Sequence, residues 1–313
     1  MQEEERRGRG WIWAVVVAAG VLILCCLCAL AVWAVSLISE GGPALGPAVA
    51  LIRIEGTIAS GRAPSPWVQG AYSEEIIRQL READEDESVK AIVLRINSPG
   101  GTVVGSDEIY RALRMLQKPV VASMADVAAS GGYYVACGAD YIVANPNTFT
   151  GSIGVVAQIP NAAELLDRLG IEAVILRSGP RKAEGTIWEK LSPEARQILQ
   201  QLIEEAHATF VQVVAEGRGM SIEEVQRLAD GRIYSGYQAW ELGLVDELGT
   251  LDDAINKAAE LGGIEGRPRI QEYHRPPSLW DSLFMQRGSV DLLHLDLEGV
   301  PNGPVLEYRY VAP

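Results

Sequence analysis

Ala91-Ile92-Val93-Leu94-Arg95-Ile96 runs straight into Asn97-Ser98-Pro99-Gly100-Gly101, and this junction decides the fold. A nearly unbroken apolar run of this length reads as a strand buried on both faces, the mark of a parallel sheet. Residues 49–54 form an earlier strand of the same kind, and residues 56–70, rich in Gly, Pro and Ser, form a loop. Residues 72–84 and 106–116 carry apolar residues at helical spacing, and 119–123, 141–144 and 153–156 read as further strands. Strand followed by helix, repeated, predicts an α/β fold of parallel units. Residues 130–138 and 161–169 read as short helices, with an extended stretch at 172–176. A long amphipathic helix spans 193–216, and Ser221 with Glu224 three residues later signals a capping box. A short strand, helix and strand follow over 233–248, then a last helix over 250–261. After Gly262 the pattern decays, so 262–313 is expected to be a partly disordered tail.

The N-terminus has a different character. No charged residue occurs from Trp11 to Ile38, a run longer than the ~20 residues a membrane-spanning helix needs. It also exceeds the roughly 7–15 apolar residues of a cleaved signal peptide. Residues 11–38 therefore read as an uncleaved anchor, with Trp11, Trp13 and Trp33 near the interfaces. Cleavage after a small residue such as Ser36 is the weaker alternative. Arg6, Arg7 and Arg9 precede the run and the next cation is Arg53, which puts residues 1–10 in the cytoplasm and the bulk of the chain outside the cell membrane. Residues 39–48 are a Gly/Pro linker, and 49–261 form the main domain.

The formal net charge of -14 disfavours nucleic acid as a partner. Cys25, Cys26 and Cys28 lie in the apolar run and Cys137 is alone in the outer domain, where it reads as a small core residue. No Cys or His spacing suits a metal, and no cofactor is expected.

Ala129-Ser130-Gly131-Gly132-Tyr133-Tyr134 presents a hydroxyl at the start of a short helix. With the 97–101 turn it makes two glycine turns, each after an apolar strand, which suggests a serine nucleophile and an oxyanion hole. A base must then be found. His207 falls mid-way along the long helix, and His274 and His294 lie in the tail, so a Ser-His arrangement has little support. Of the lysines Lys90, Lys118, Lys182, Lys190 and Lys257, only Lys182 follows an extended stretch through Ser178-Gly179-Pro180 and precedes a flexible segment, Ala183-Glu184-Gly185. To act as a base it must be kept neutral by burial or a neighbouring cation. Thr150-Gly151-Ser152-Ile153-Gly154 reads by itself as a plain turn, with a hydroxyl that could orient a lysine amine.

These motifs occur in an order that resembles the signal peptide peptidase A family of bacterial membrane-bound Ser-Lys proteases, in its short single-repeat form. The segments 97–101, 129–134, 150–155 and 178–182 carry the resemblance, with support from 218–220, 230–234 and 244–249. It covers residues 49–260 and the anchor. The resemblance implies a ClpP/crotonase-like fold of stacked ββα units. It implies Ser130 as nucleophile, Lys182 as general base, Ser152 as the residue orienting the lysine, and the backbone N–H groups of Gly101 and Gly131 as oxyanion donors. It further implies a homo-oligomeric ring of eight subunits, with the Ser and Lys of one site on neighbouring copies. The substrates it implies are remnant signal peptides and other apolar peptides. Asp126 and Arg181 depart from the family pattern and bear on pocket shape and pH optimum. Two rival readings use the same turns: a crotonase-type acyl-CoA hydratase or isomerase, and a non-catalytic membrane scaffold. The anchor and acidic chain oppose the first, and the intact Ser130 and Lys182 oppose the second.

Overall fold

Side chains along the central strands alternate between two separate cores. The computed structural model describes residues 15–28, 30, 46–65, 68–273 and 307–309. Residues 15–28 are helical (α1) and fall in a unit of their own, Met1–Gly46, apart from the unit Pro47–Pro313. Among the described residues no helix is long and apolar enough to cross a membrane. The rest of the expected 11–38 anchor lies outside the described residues, apart from residue 30.

The larger unit is mixed α/β. Strand β1 (Ala48–Glu55) pairs in parallel with β4 (Val89–Ser98), β4 with β6 (Val120–Ala129), and β6 with β7 (Tyr141–Ala144). Ala48, Ala50, Ile52, Ile92, Leu94 and Ile96 enter one core, beneath helices α2 (Ser73–Glu85), α3 (Val103–Leu113) and α4 (Gly131–Ala136). Val49, Leu51, Ala91, Val93 and Val121 enter the other, against α9 (Leu251–Leu261). A period of two with both sets apolar is what a sheet covered on both faces requires.

A second, smaller sheet is built from β2 (Ile58–Ala59), β3 (Ala71–Tyr72) and β5 (Gly100–Thr102). The loop expected over 56–70 thus contains a short strand. The expected strand 153–156 is absent. The strand is instead β8 (Phe149–Gly151), which runs beside Val127–Ala129 at the end of β6 and pairs antiparallel with β9 (Ile233–Ser235). Ser152, at φ 50°, turns the chain out of the sheet before Ile153. Residues 172–176 form no strand either. They have no pairing partner, and Val174 and Leu176 are 78% and 93% exposed. Beyond these come α5 (Ala163–Arg168), α6 (Pro193–Arg218), α7 (Ile222–Leu228), α8 (Gly236–Glu241) and β10 (Glu247–Leu248). The capping box at Ser221 and Glu224 is present as expected.

The tail departs most from expectation. Residues 269–273 form β11, which pairs in parallel with β1 and extends the sheet past the expected end of the domain at 261. Glu307–Arg309 form β12, antiparallel to β5. Asp86 ties β11 down, accepting hydrogen bonds from Gln271 Nε2 (2.9 Å), Tyr273 Oη (3.1 Å) and Ser88 Oγ (2.8 Å). The bonds from the Ser88 side chain and backbone, then those from Gln271 and Tyr273, hold the Asp86 carboxyl well below the usual range.

A carboxyl depressed in the folded state contributes stability above its unfolded pKa of about 3.9 and loses it as pH falls through the folded value. Asp86→Ala should cost about 1–2 kcal/mol in urea unfolding at pH 7. The gap to wild type should narrow below about pH 3. A gap that stays constant with pH would contradict the role given to the charge.

Candidate active site

Ser130 stands between β6 and α4 with φ 53° and ψ −118°, a conformation that side chains other than glycine rarely adopt. Two backbone hydrogen bonds hold it there. Its N–H donates to Gly151 O (2.8 Å), and its carbonyl accepts from Tyr134 N (2.8 Å). Helix α4 is itself fixed: Tyr133 Oη donates to Leu244 O (2.8 Å), Tyr134 Oη donates to Asp107 Oδ1 (2.9 Å), and the Tyr134 ring meets Phe210 edge-on at 5.1 Å. Strain of this kind persists only where the surroundings over-determine it, and it clusters at working sites.

Ser152 is placed by the same ladder. Ala129 is in register with Gly151 across the parallel β6–β8 pair, so the next residues, Ser130 and Ser152, leave neighbouring strands side by side. Both have positive φ, 53° and 50°, and they are the two such non-glycine residues among those described. Both are buried, and Ser152 N donates to Arg232 O (2.8 Å).

The two glycine turns meet. A Cβ built on Gly131 would lie 2.5 Å from Ser106 Oγ and 3.1 Å from Gly101 N. A Cβ on Gly101 would collide with the carbonyl of Ile58. Only glycine allows the strand carrying Gly101 to press against both β2 and the start of α4, which brings the expected oxyanion donors to one place. Ser98 supports the turn, its Oγ accepting from Gly100 N (3.1 Å), and Asn97 Oδ1 accepts from Val127 N (3.3 Å).

Lys182 is not part of this cluster. It sits exposed on a turn, with its N–H donating to Gly179 O (3.2 Å), and it makes no hydrogen bond to either serine. A cavity of about 370 Å³ beside Ser152 is lined by Gly154, Val155, Glu204, His207, Asp230 and others, but not by Lys182. The sequence reading left His207 out of the site. It is near Ser152, yet its Nε2 lies 2.9 Å from the carbonyl of Ala229. A carbonyl only accepts, so that nitrogen carries the proton and anchors the ring to the backbone rather than to a serine. Asp126 is exposed and lines a different cavity, with Arg95.

The model for peptidase family S49 matches residues 112–265, which include Ser130, Ser152 and Lys182. The Clp protease model matches residues 65–150, which include both glycine turns. The protein slr0021 of Synechocystis sp., whose name carries a provisional protease assignment, is 42% identical over 69% of this chain and 75% of its own length. The chain belongs to peptidase family S49. Protease 4 of Haemophilus influenzae is 37% identical over 72% of this chain, and the chloroplastic serine protease SPPA of Arabidopsis thaliana is 34% identical over 77%. The match spans 36% of each of those two longer proteins. Membership places the chain among the serine proteases and decides against the acyl-CoA reading.

Replacing Ser130 by glycine removes the strain at φ 53°, whereas alanine keeps it. Ser130→Gly should therefore raise stability relative to Ser130→Ala by about 1 kcal/mol or more, read from urea midpoints. Equal midpoints would show that the turn is not strained.

Proposed function

We propose that this chain is a membrane-anchored endopeptidase that cuts apolar peptides, remnant signal peptides among them, with a Ser130–Lys182 dyad. The observation that carries the proposal is the placement of Ser130, at a strained bend beside Ser152, with the next residue, Gly131, against Gly101. In the proposed reaction the Lys182 amine takes the Ser130 proton, and Oγ attacks the scissile carbonyl. The N–H groups of Gly101 and Gly131 stabilise the oxyanion. The protonated amine then gives its proton to the leaving nitrogen, and an acyl-enzyme remains. A water, deprotonated by the same amine, hydrolyses that ester. Ser152 orients the amine.

An extended peptide has a ready place to bind. β12 lies antiparallel on β5, with Tyr308 opposite Gly101, so a peptide strand would bind there by taking the place of β12. Burial of a peptide's apolar side chains along that edge would supply the affinity.

Lys182 is exposed within one chain and makes no hydrogen bond to Ser130 or Ser152. Leu165, Leu169, Ile171, Val174 and Leu176, in the segment leading to it, are exposed as well. A run of exposed apolar side chains of this kind marks an interaction surface. We assign it to a second copy of the chain, in a ring that carries Lys182 to the neighbour's Ser130. The anchor at residues 11–38 would hold the ring at the cell membrane with the protease domain outside, close to peptides left in the bilayer.

Ser130→Ala and Lys182→Ala should each reduce turnover of an apolar peptide by about 10⁴-fold or more. Coexpressed in equal amounts, the two inactive variants should recover about one quarter of wild-type activity, because random mixing in the ring leaves that share of sites with both groups intact. Full turnover in either single variant would overturn the dyad. Two inactive variants with no recovery on mixing would confine the dyad to one chain.

A further inference from the structure

The hydroxyl of Ser106 is buried without a hydrogen-bond partner, directly beside the two glycine turns. Ser106 lies in α3, just after the turn capped by Thr102, whose Oγ1 accepts from Gly105 N (3.2 Å). A serine inside a helix ordinarily satisfies its hydroxyl on the carbonyl one turn back. Ser106 makes no such bond, and its exposure is 0%. Three other described side-chain atoms share this condition, Gln79 Oε1, Thr186 Oγ1 and Arg269 Nε. None of these three residues is among the neighbours of Gly101 or Gly131, whereas Ser106 Oγ is the nearest atom to the side of Gly131 that faces Gly101.

A buried hydroxyl left unpaired lowers the stability of the fold, and such a group calls for a partner that arrives later. In the proposed reaction this is where the N–H groups of Gly101 and Gly131 meet the substrate oxygen. We propose that Ser106 is a third oxyanion donor, its hydroxyl turning to the negatively charged oxygen that forms when Ser130 attacks. This rests on the reading of Ser130 as nucleophile.

The step is simple in its balance. Attack forms the bond between Ser130 Oγ and the carbonyl carbon, and the carbonyl π pair moves onto oxygen. That oxygen accepts the Ser106 hydroxyl hydrogen bond without taking its proton. When the intermediate collapses the carbonyl re-forms and the hydroxyl is released. The same sequence recurs in deacylation. A neutral carbonyl is a weaker acceptor than the oxyanion, so the bond is strongest at the transition state and acts on kcat rather than on binding.

The test compares Ser106→Ala, Ser106→Cys and Ser130→Ala in the full chain, by steady-state peptide cleavage and urea unfolding. Ser106→Ala should lower kcat by about 10²-fold with KM held within about twofold, the size expected for one oxyanion donor. Its unfolding midpoint should stay level or rise, because the substitution removes an unpaired buried group. Ser106→Cys keeps the shape and weakens the donor, and should lose at least about 10-fold in kcat. Wild-type kcat in Ser106→Ala or Ser106→Cys would overturn the inference. A fall in kcat that comes with a lower midpoint and a raised KM would reduce Ser106 to a packing group and overturn it too. If Ser130→Ala keeps its turnover, the nucleophile itself is misassigned. If Ser130→Ala is inactive and Ser106→Ala is normal, only the role of Ser106 fails.

Discussion

The site depends on the left-handed backbone of Ser130. A residue with a side chain is held at φ 53° because both its backbone groups are engaged, one by Gly151 and one by Tyr134. The result is a sharp bend that ends β6 and starts α4 within a single residue. Gly131 then packs against Gly101 N because it carries no Cβ, and Gly101 packs against Ile58 for the same reason. If the bend relaxed, α4 would lift away from β5 and Gly131 would lose its close approach to Gly101. The cost of the strain is met by the packing of Tyr133, Tyr134 and Phe210, which lie fully buried behind it.

The sheet supplies the second constraint. Because β6 runs on to Ala129 and β8 joins it only over the last three residues, two serines far apart in the chain leave adjacent strands together. Apolar faces on both sides of β1, β4 and β6 keep these strand ends rigid. The site therefore sits on sheet ends rather than on a mobile loop, which suits chemistry that depends on distances of a few tenths of an ångström. The proposed base is placed differently. Lys182 rides on a surface turn preceded by exposed apolar residues.

Much of this was legible in the residues. The branched run 91–96 and the alternation at 49–54 gave the buried strands directly, and the capping residues at 221 and 224 marked a helix start. Ile153 misled because its apolar character serves the core, where it is fully buried, and not a strand. Residues 149–151 gave no usable signal, since a three-residue strand has no period to detect. Arg269–Tyr273 has no apolar alternation, its one aliphatic residue, Ile270, lying on the exposed face, so five residues in a Pro/Gly-rich tail do not stand out. Of the site, Ser130 and the glycine turns were visible from local chemistry. The resemblance offered Ser152 only as the residue orienting Lys182, and its place beside Ser130 was not foreseen, because strand register is not written in either segment. Ser106 was read only as a helix start, and its unpaired hydroxyl has no signature short of the packed structure.

The central claim is that Ser130 is an activated nucleophile and that its activation depends on Lys182. Treatment of the full chain with a fluorophosphonate, followed by peptide mass mapping, tests both parts at once. The account predicts one adduct per chain, on the Ser130 oxygen, with labelling slowed by orders of magnitude in Lys182→Ala while the unfolding midpoint is unchanged. An adduct on another serine, or labelling of Ser130 at the wild-type rate in Lys182→Ala, would contradict it.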